Sequence, residues 1–191
     1  MLSLAEISPA LYGAWRLAHF DARGLGYFDR SMNGFWRSFR VAVLAAPLWA
    51  VILGVNLAQM HIGASWARVV IAETIGYVVG WVAYPLAAFY LTGFIDRQRE
   101  YIGLIVALNW AELPMLALLM PAHVIAGTGL LPLGESFTLV VGAVIACLVY
   151  EWFITKTALD LSGLGAVGFV VVDYVIGNLV YYVAAVEAYA S

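Results

Sequence analysis

Four carboxyl side chains, Glu73, Glu112, Glu151 and Asp173, stand inside runs that are otherwise apolar. Glu112 is the clearest case, near the middle of YIGLIVALNWAELPMLALLMP, residues 101–121. An ionisable group at bilayer depth costs roughly 2.5–3.5 kcal/mol on insertion scales and usually turns toward the bundle interior. No Lys or Arg stands at the depth of Glu112 or Asp173 to pair with it. Desolvation favours the neutral acid, so each is expected to donate a hydrogen bond toward a neighbouring helix. Spacing extends the set. Glu73, Tyr77 and Tyr84 share one helical face, Asn109 and Glu112 share another, and Asp173 and Tyr181 lie about two turns apart with Asn178 nearby. These faces are expected to converge in one polar seam, with Glu112 facing Asp173 or the Tyr77/Tyr84 stripe. Such a seam has two possible chemistries. It is a route for protons or small solutes, or it is interhelical glue whose polar groups satisfy one another at about 0.6–2 kcal/mol per bond. Glue is the expectation here.

The elements that hold these groups are legible from composition. Hydrophobic residues make up 64% of the 191-residue chain and charged residues 11%, with a mean hydropathy of +0.93. Soluble domains are nearer half apolar and a quarter charged, so the fold class is an all-α, polytopic transmembrane helical bundle. Five runs reach the roughly 20 residues a spanning helix needs: 38–60, 68–94, 101–121, 136–156 and 164–189. This divides the chain into a cytoplasmic or interfacial amphipathic segment, 1–37, and a five-helix transmembrane domain, 38–191.

Of the nine Lys and Arg residues, Arg16, Arg23, Arg30, Arg37 and Arg40 precede the first span, Arg97 and Arg99 follow the second, and Lys156 follows the fourth. Only Arg68 falls on the other side. The positive-inside rule then orients the chain in a bacterial inner membrane, N-terminus cytoplasmic and C-terminus external, and favours an odd number of spans. The first residues lack an early basic region and an Ala-x-Ala-like site, so no cleaved signal peptide is expected.

Ser8 and Pro9 predict a helix start, as cap and first helical residue, with Gly24 as its stop. Leu11, Trp15, Ala18 and Ala22 recur at helical spacing, and Arg16, His19 and Arg23 lie on another face. This amphipathic helix is expected to lie along the membrane surface. The stretch after it is read as a loop into the first span. Tyr27, Phe28, Phe35 and Trp36 suit the headgroup layer, and the arginines suit lipid phosphates. The predicted interfacial set is Arg16, Arg23, Arg30, Arg37, Arg40, Trp15 and Trp36.

Pro47, Pro85 and Pro114 fall inside the first three spans, and glycines at 76, 80, 163, 165, 168 and 177 let helices approach closely. A faint internal echo joins FYLTGFID at the end of span two to WFITKTALD at the end of span four. It aligns Thr92 with Thr155, Asp96 with Asp160, and Asn109-Trp110 with Asp173-Tyr174. The echo is either a parallel two-helix repeat or shared membrane composition.

Other chemistry has no support. His19, His61 and His123 are widely separated, and Cys147 is the single cysteine, so no metal site and no disulfide within the chain is expected. No nucleophile elbow, phosphate-cradling loop or Cys-x-x-Cys is present. The expectation is a protein that is not an enzyme, has no cofactor and binds no nucleic acid. The layout, with FWRSFRVAVLAAPLW at 35–49 and Gly76-Tyr77 followed by Pro85, resembles the bacterial branch of the Yip1-like five-span membrane proteins. The Leu-Tyr-Gly-Pro signature of the eukaryotic members is missing. The resemblance implies a five-helix bundle with a membrane-organising or partner-binding role, and it supplies no catalytic residues. The expected function is a scaffold, membrane-organising protein or accessory subunit of a membrane complex, partnered by the lipid bilayer, other membrane subunits or its own copies. The alternative is a small transporter or proton-conducting component that uses the intramembrane carboxylates.

Overall fold

A computed structural model describes residues 4–58 and 65–189. Seven α-helices occur among these residues, and no strand does. They are α1 (Leu4–Ala18), α2 (Met32–Ser38), α3 (Val41–Ala58), α4 (Trp66–Phe94), α5 (Tyr101–Gly127), α6 (Leu133–Ala158) and α7 (Gly163–Tyr189), with a 3-10 turn at Ala22–Tyr27. Five helical runs are long and apolar enough to cross a membrane: Met32–Ala58, Trp66–Phe94, Tyr101–Gly127, Leu133–Ala158 and Gly163–Ala188. The chain is an all-α membrane protein with five candidate spans.

The third span runs past its predicted end at residue 121. Pro121 removes one backbone donor, but the residues beyond it keep the helix going to Gly127. The stretch read as a loop before the first span contains the 3-10 turn and α2. Asp21 caps the turn by accepting from the Arg23 backbone N–H, and Ser31 caps α2 by accepting from the Gly34 N–H.

The first helix also differs from its reading. It begins at Leu4, with Pro9 inside it, because Glu6 pairs with Arg37 of α2 and holds the additional turn. It ends at Ala18, well before Gly24. Phe20 adopts a left-handed φ of 58°, and the Asp21 N–H donates to the Arg16 carbonyl at 3.0 Å, closing the helix with a Schellman-type cap. The expected surface stripe faces outward: Leu11 and Trp15 are exposed, whereas Ala10, Ala14 and Leu17 are buried. The small side chains let α1 pack on α5 and α6, and the Tyr150 hydroxyl donates to the Ala14 carbonyl at 2.7 Å. One side of α1 is therefore covered by protein and not by lipid.

Around the bundle, α3 packs on α5, α5 on α6, α6 on α7 and α7 on α4. Helices α4 and α5 touch only thinly, which leaves a gap between the α3–α5 pair and the α4–α7 pair. The main core lies at the basic end, where α5 is buried from Gly103 to Ala107 among Leu17, Phe35, Ile154 and Leu159.

The echo has a local structural counterpart. Asp96 and Asp160 both adopt left-handed φ, 56° and 51°. In each case the next N–H reaches back one turn, from Arg97 to the Thr92 carbonyl at 2.8 Å and from Leu161 to the Lys156 carbonyl at 3.0 Å. Helices α4 and α6 thus end in the same cap, and Thr92 and Thr155 are both fully buried.

Candidate functional site

One face of α4 builds the wall of a cavity. Glu73, Gly76, Tyr77, Gly80, Trp81 and Tyr84 follow one another at three- and four-residue steps or as neighbours, the pattern of a continuous helical stripe. The stripe lines a cavity of about 280 Å³ that is completed by Trp49 of α3, Asn109 and Glu112 of α5, and Asp173 and Tyr181 of α7. From Glu73 to Pro85 the α4 wall spans twelve residue steps, or roughly 18 Å at 1.5 Å per residue. That exceeds half of the ~30 Å hydrocarbon thickness.

Six of the seven residues predicted for the polar seam meet here: Glu73, Tyr77, Tyr84, Asn109, Glu112 and Asp173. Asn178 does not. It lies on the exposed side of α7, where its amide donates to the Tyr174 carbonyl one turn back at 2.7 Å. The seam is not self-satisfied as glue would be. The Tyr84 hydroxyl is buried at 6% exposure and has no hydrogen-bond partner. Two members are engaged away from the carboxyls. The Tyr77 hydroxyl donates to the Ala42 carbonyl at 2.6 Å, and the Asn109 amide donates to Ser38 Oγ at 2.8 Å.

Glu151 adds a group that reading by faces missed. It is buried on α6, which packs on the helix that carries Asp173, and its Oε1 has no partner. Glu112 and Tyr84 line the same cavity as Asp173. The cavity is acidic: among the described residues that line it, none is Lys or Arg. It is also aromatic. The Trp49 and Tyr77 ring centroids are 4.5 Å apart, and those of Tyr77 and Trp81 are 6.2 Å apart.

The predicted interfacial residues divide into two kinds. Arg16 pairs with Asp21 and donates to the Tyr27 hydroxyl at 3.2 Å, and Arg37 pairs with Glu6. Both bind the amino-terminal segment together. Arg23 also reaches Asp21, at 3.0 Å, with its side chain 82% exposed. Arg30 lies over Gly103. Arg40, Trp15 and Trp36 are exposed at this end. The hydrogen bonds from Arg23 and Arg16 hold the Asp21 carboxyl well below the usual carboxylate range. Ser31, which donates to it through side chain and backbone, lowers Asp29 as well.

The histidines do not join the site. His19 donates from Nδ1 to the Trp15 carbonyl at 2.8 Å, and His61 lies outside the described residues. Comparison with protein-family models, with curated proteins and with solved structures finds no match to this chain.

Proposed function

We propose that the chain is a small membrane transporter or proton-conducting component, with Glu73, Glu112 and Asp173 as the cavity carboxyls. A single observation carries this reading. Six of the seven predicted polar residues line a shared cavity, and the buried Tyr84 hydroxyl has no protein partner, whereas glue requires polar groups that pair with one another. The carboxyls of Glu73, Glu112 and Asp173 around one cavity suit proton passage by short steps, each able to take up and release a proton. No enzymatic step is assigned to the site.

The test is proton flux in liposomes that contain the purified protein and a trapped pH indicator. Wild type dissipates an imposed pH gradient, and Glu112→Gln combined with Asp173→Asn abolishes the leak. A wild-type leak no faster than that of empty liposomes overturns the reading. For orientation, the bias of Lys and Arg toward one end supports a cytoplasmic N-terminus in a bacterial inner membrane. A reporter fused after Ser191 is expected to read external.

A second reading, scaffold or accessory subunit, is supported by the exposed Trp15, Trp36 and Arg40 at the end capped by α1 and α2. These suit headgroups or another subunit. Its signature is a stable larger complex on co-purification.

A further inference from the structure

We infer that the cavity between the α3–α5 and α4–α7 pairs is a binding site for a small organic cation of the alkylammonium class. The inference rests on the cavity reading above and names the solute that it holds.

Three independent features converge on it. The first is sign. Glu73, Glu112 and Asp173 line the cavity and no lining residue among those described is basic, so a cation held there draws these carboxyls to their ionised form. The second is surface chemistry. Trp49, Tyr77 and Trp81 are set edge to tilted at centroid distances of 4.5 and 6.2 Å. Aromatic faces attract alkylated ammonium groups, most of all where water is scarce. A bare inorganic ion would leave this surface unused. The third is the space between the acids. Among the described residues no three His, Cys, Asp or Glu side chains come together as a metal site requires. Spread carboxyls around about 280 Å³ suit a cation with a body, at the small end of the ~300–1,000 Å³ typical of ligand pockets.

The Tyr84 hydroxyl supplies the remaining recognition. The Tyr84 side chain lines the cavity at 6% exposure, and its hydroxyl is buried with no partner. A buried hydroxyl in that state is a site for a hydrogen bond from a ligand N–H or to a ligand O–H. The floor is kept open by Gly80, where an added Cβ would meet nothing within 4 Å.

Calorimetric titration of the purified full chain in detergent micelles tests this, with choline as the probe and dimethylbutanol, its uncharged carbon isostere, as the control. Choline is expected to give a saturable heat and the isostere none. Asp173→Asn and Trp49→Leu are each expected to weaken binding about tenfold, through the lost charge and the lost aromatic face. No saturable choline heat, or an equal heat from the isostere, overturns the inference without recourse to any variant. Choline binding that folded Asp173→Asn and Gly80→Leu proteins retain in full also overturns it, because the site then lies elsewhere. The proton assay separates the two claims. A chain that leaks protons but ignores choline keeps the route and loses the solute. A chain that binds choline but carries no protons keeps the site and loses the route.

Discussion

Asn109 on α5 donates its side-chain amide to the hydroxyl of Ser38 at 2.8 Å, and Ser38 in turn donates to the Phe35 carbonyl at 2.7 Å. Both side chains are buried, so the end of α2 is tied to the central helix by a two-bond chain. Removing either member strands a buried polar group, which costs about 1–3 kcal/mol. Asn109→Ala and Ser38→Ala are each expected to lower the thermal midpoint in detergent. The double variant is expected to lose less than the sum of the two, because they act on one bond. Additive losses would show that the bond carries no coupling.

Tyr84→Phe removes a hydroxyl that is buried without a partner. Its deletion is expected to leave stability unchanged or to raise it by up to about 1 kcal/mol, while proton flux falls. A clear drop in the unfolding midpoint would mean that the hydroxyl serves as glue after all.

Two glycines on the same α4 face, four residues apart, differ in what stands opposite. A Cβ on Gly76 would come within 2.8 Å of Ala184 Cβ on α7, whereas one on Gly80 would meet nothing within 4 Å. Gly76→Leu is expected to wedge α4 from α7 and destabilise the bundle by about 1–3 kcal/mol. Gly80→Leu is expected to enter the cavity, cost little stability and stop flux. Thermal unfolding and the liposome assay together check the pair, and equal stability losses at the two positions would refute the geometry.

Asp21 gives a pH dependence outside the membrane. Its carboxyl is depressed in the folded chain by hydrogen bonds from Arg23 and Arg16. The folded chain therefore binds the proton less readily than the unfolded one. The stabilisation is complete above the unfolded value near ~3.9 and is lost as pH falls from there toward the lower folded value. The midpoint difference between wild type and Asp21→Asn should be constant above about pH 5 and shrink on acidification below ~3.9. A difference that grows with acid would reverse the sign of the linkage.

The cavity was readable from sequence because its largest wall is a single helix. Glu73, Tyr77 and Tyr84 share a face by spacing alone, and the faces carrying Asn109, Glu112 and Asp173 point inward because burial in protein is cheaper for them than exposure to lipid. Asn178 was misplaced for a countable reason. Five residues turn a helix about 140° from Asp173, whereas the eight to Tyr181 bring it back to within ~80°. Glu151 escaped because it stands on another helix, and periodicity says which residues share a face, not which faces meet. Lys156 does not answer it from the same helix, since its ammonium lies over the Trp152 ring at 5.1 Å. The end of α1 was hidden by Phe20, which takes a left-handed φ usually left to Gly or Asn.

The hydrogen bond from Tyr150 to Ala14 joins residues 136 positions apart. A ribosome working at ~5–20 residues per second needs roughly 7–27 s to travel that distance. Until α5 and then α6 are made, the buried side of α1 lacks the helices it packs upon, and the growing chain must shelter it against the lipid surface or a chaperone. Helix α1 is thus made before the helices that cover it, and its bond to Tyr150 marks a chain whose fourth span is already in place.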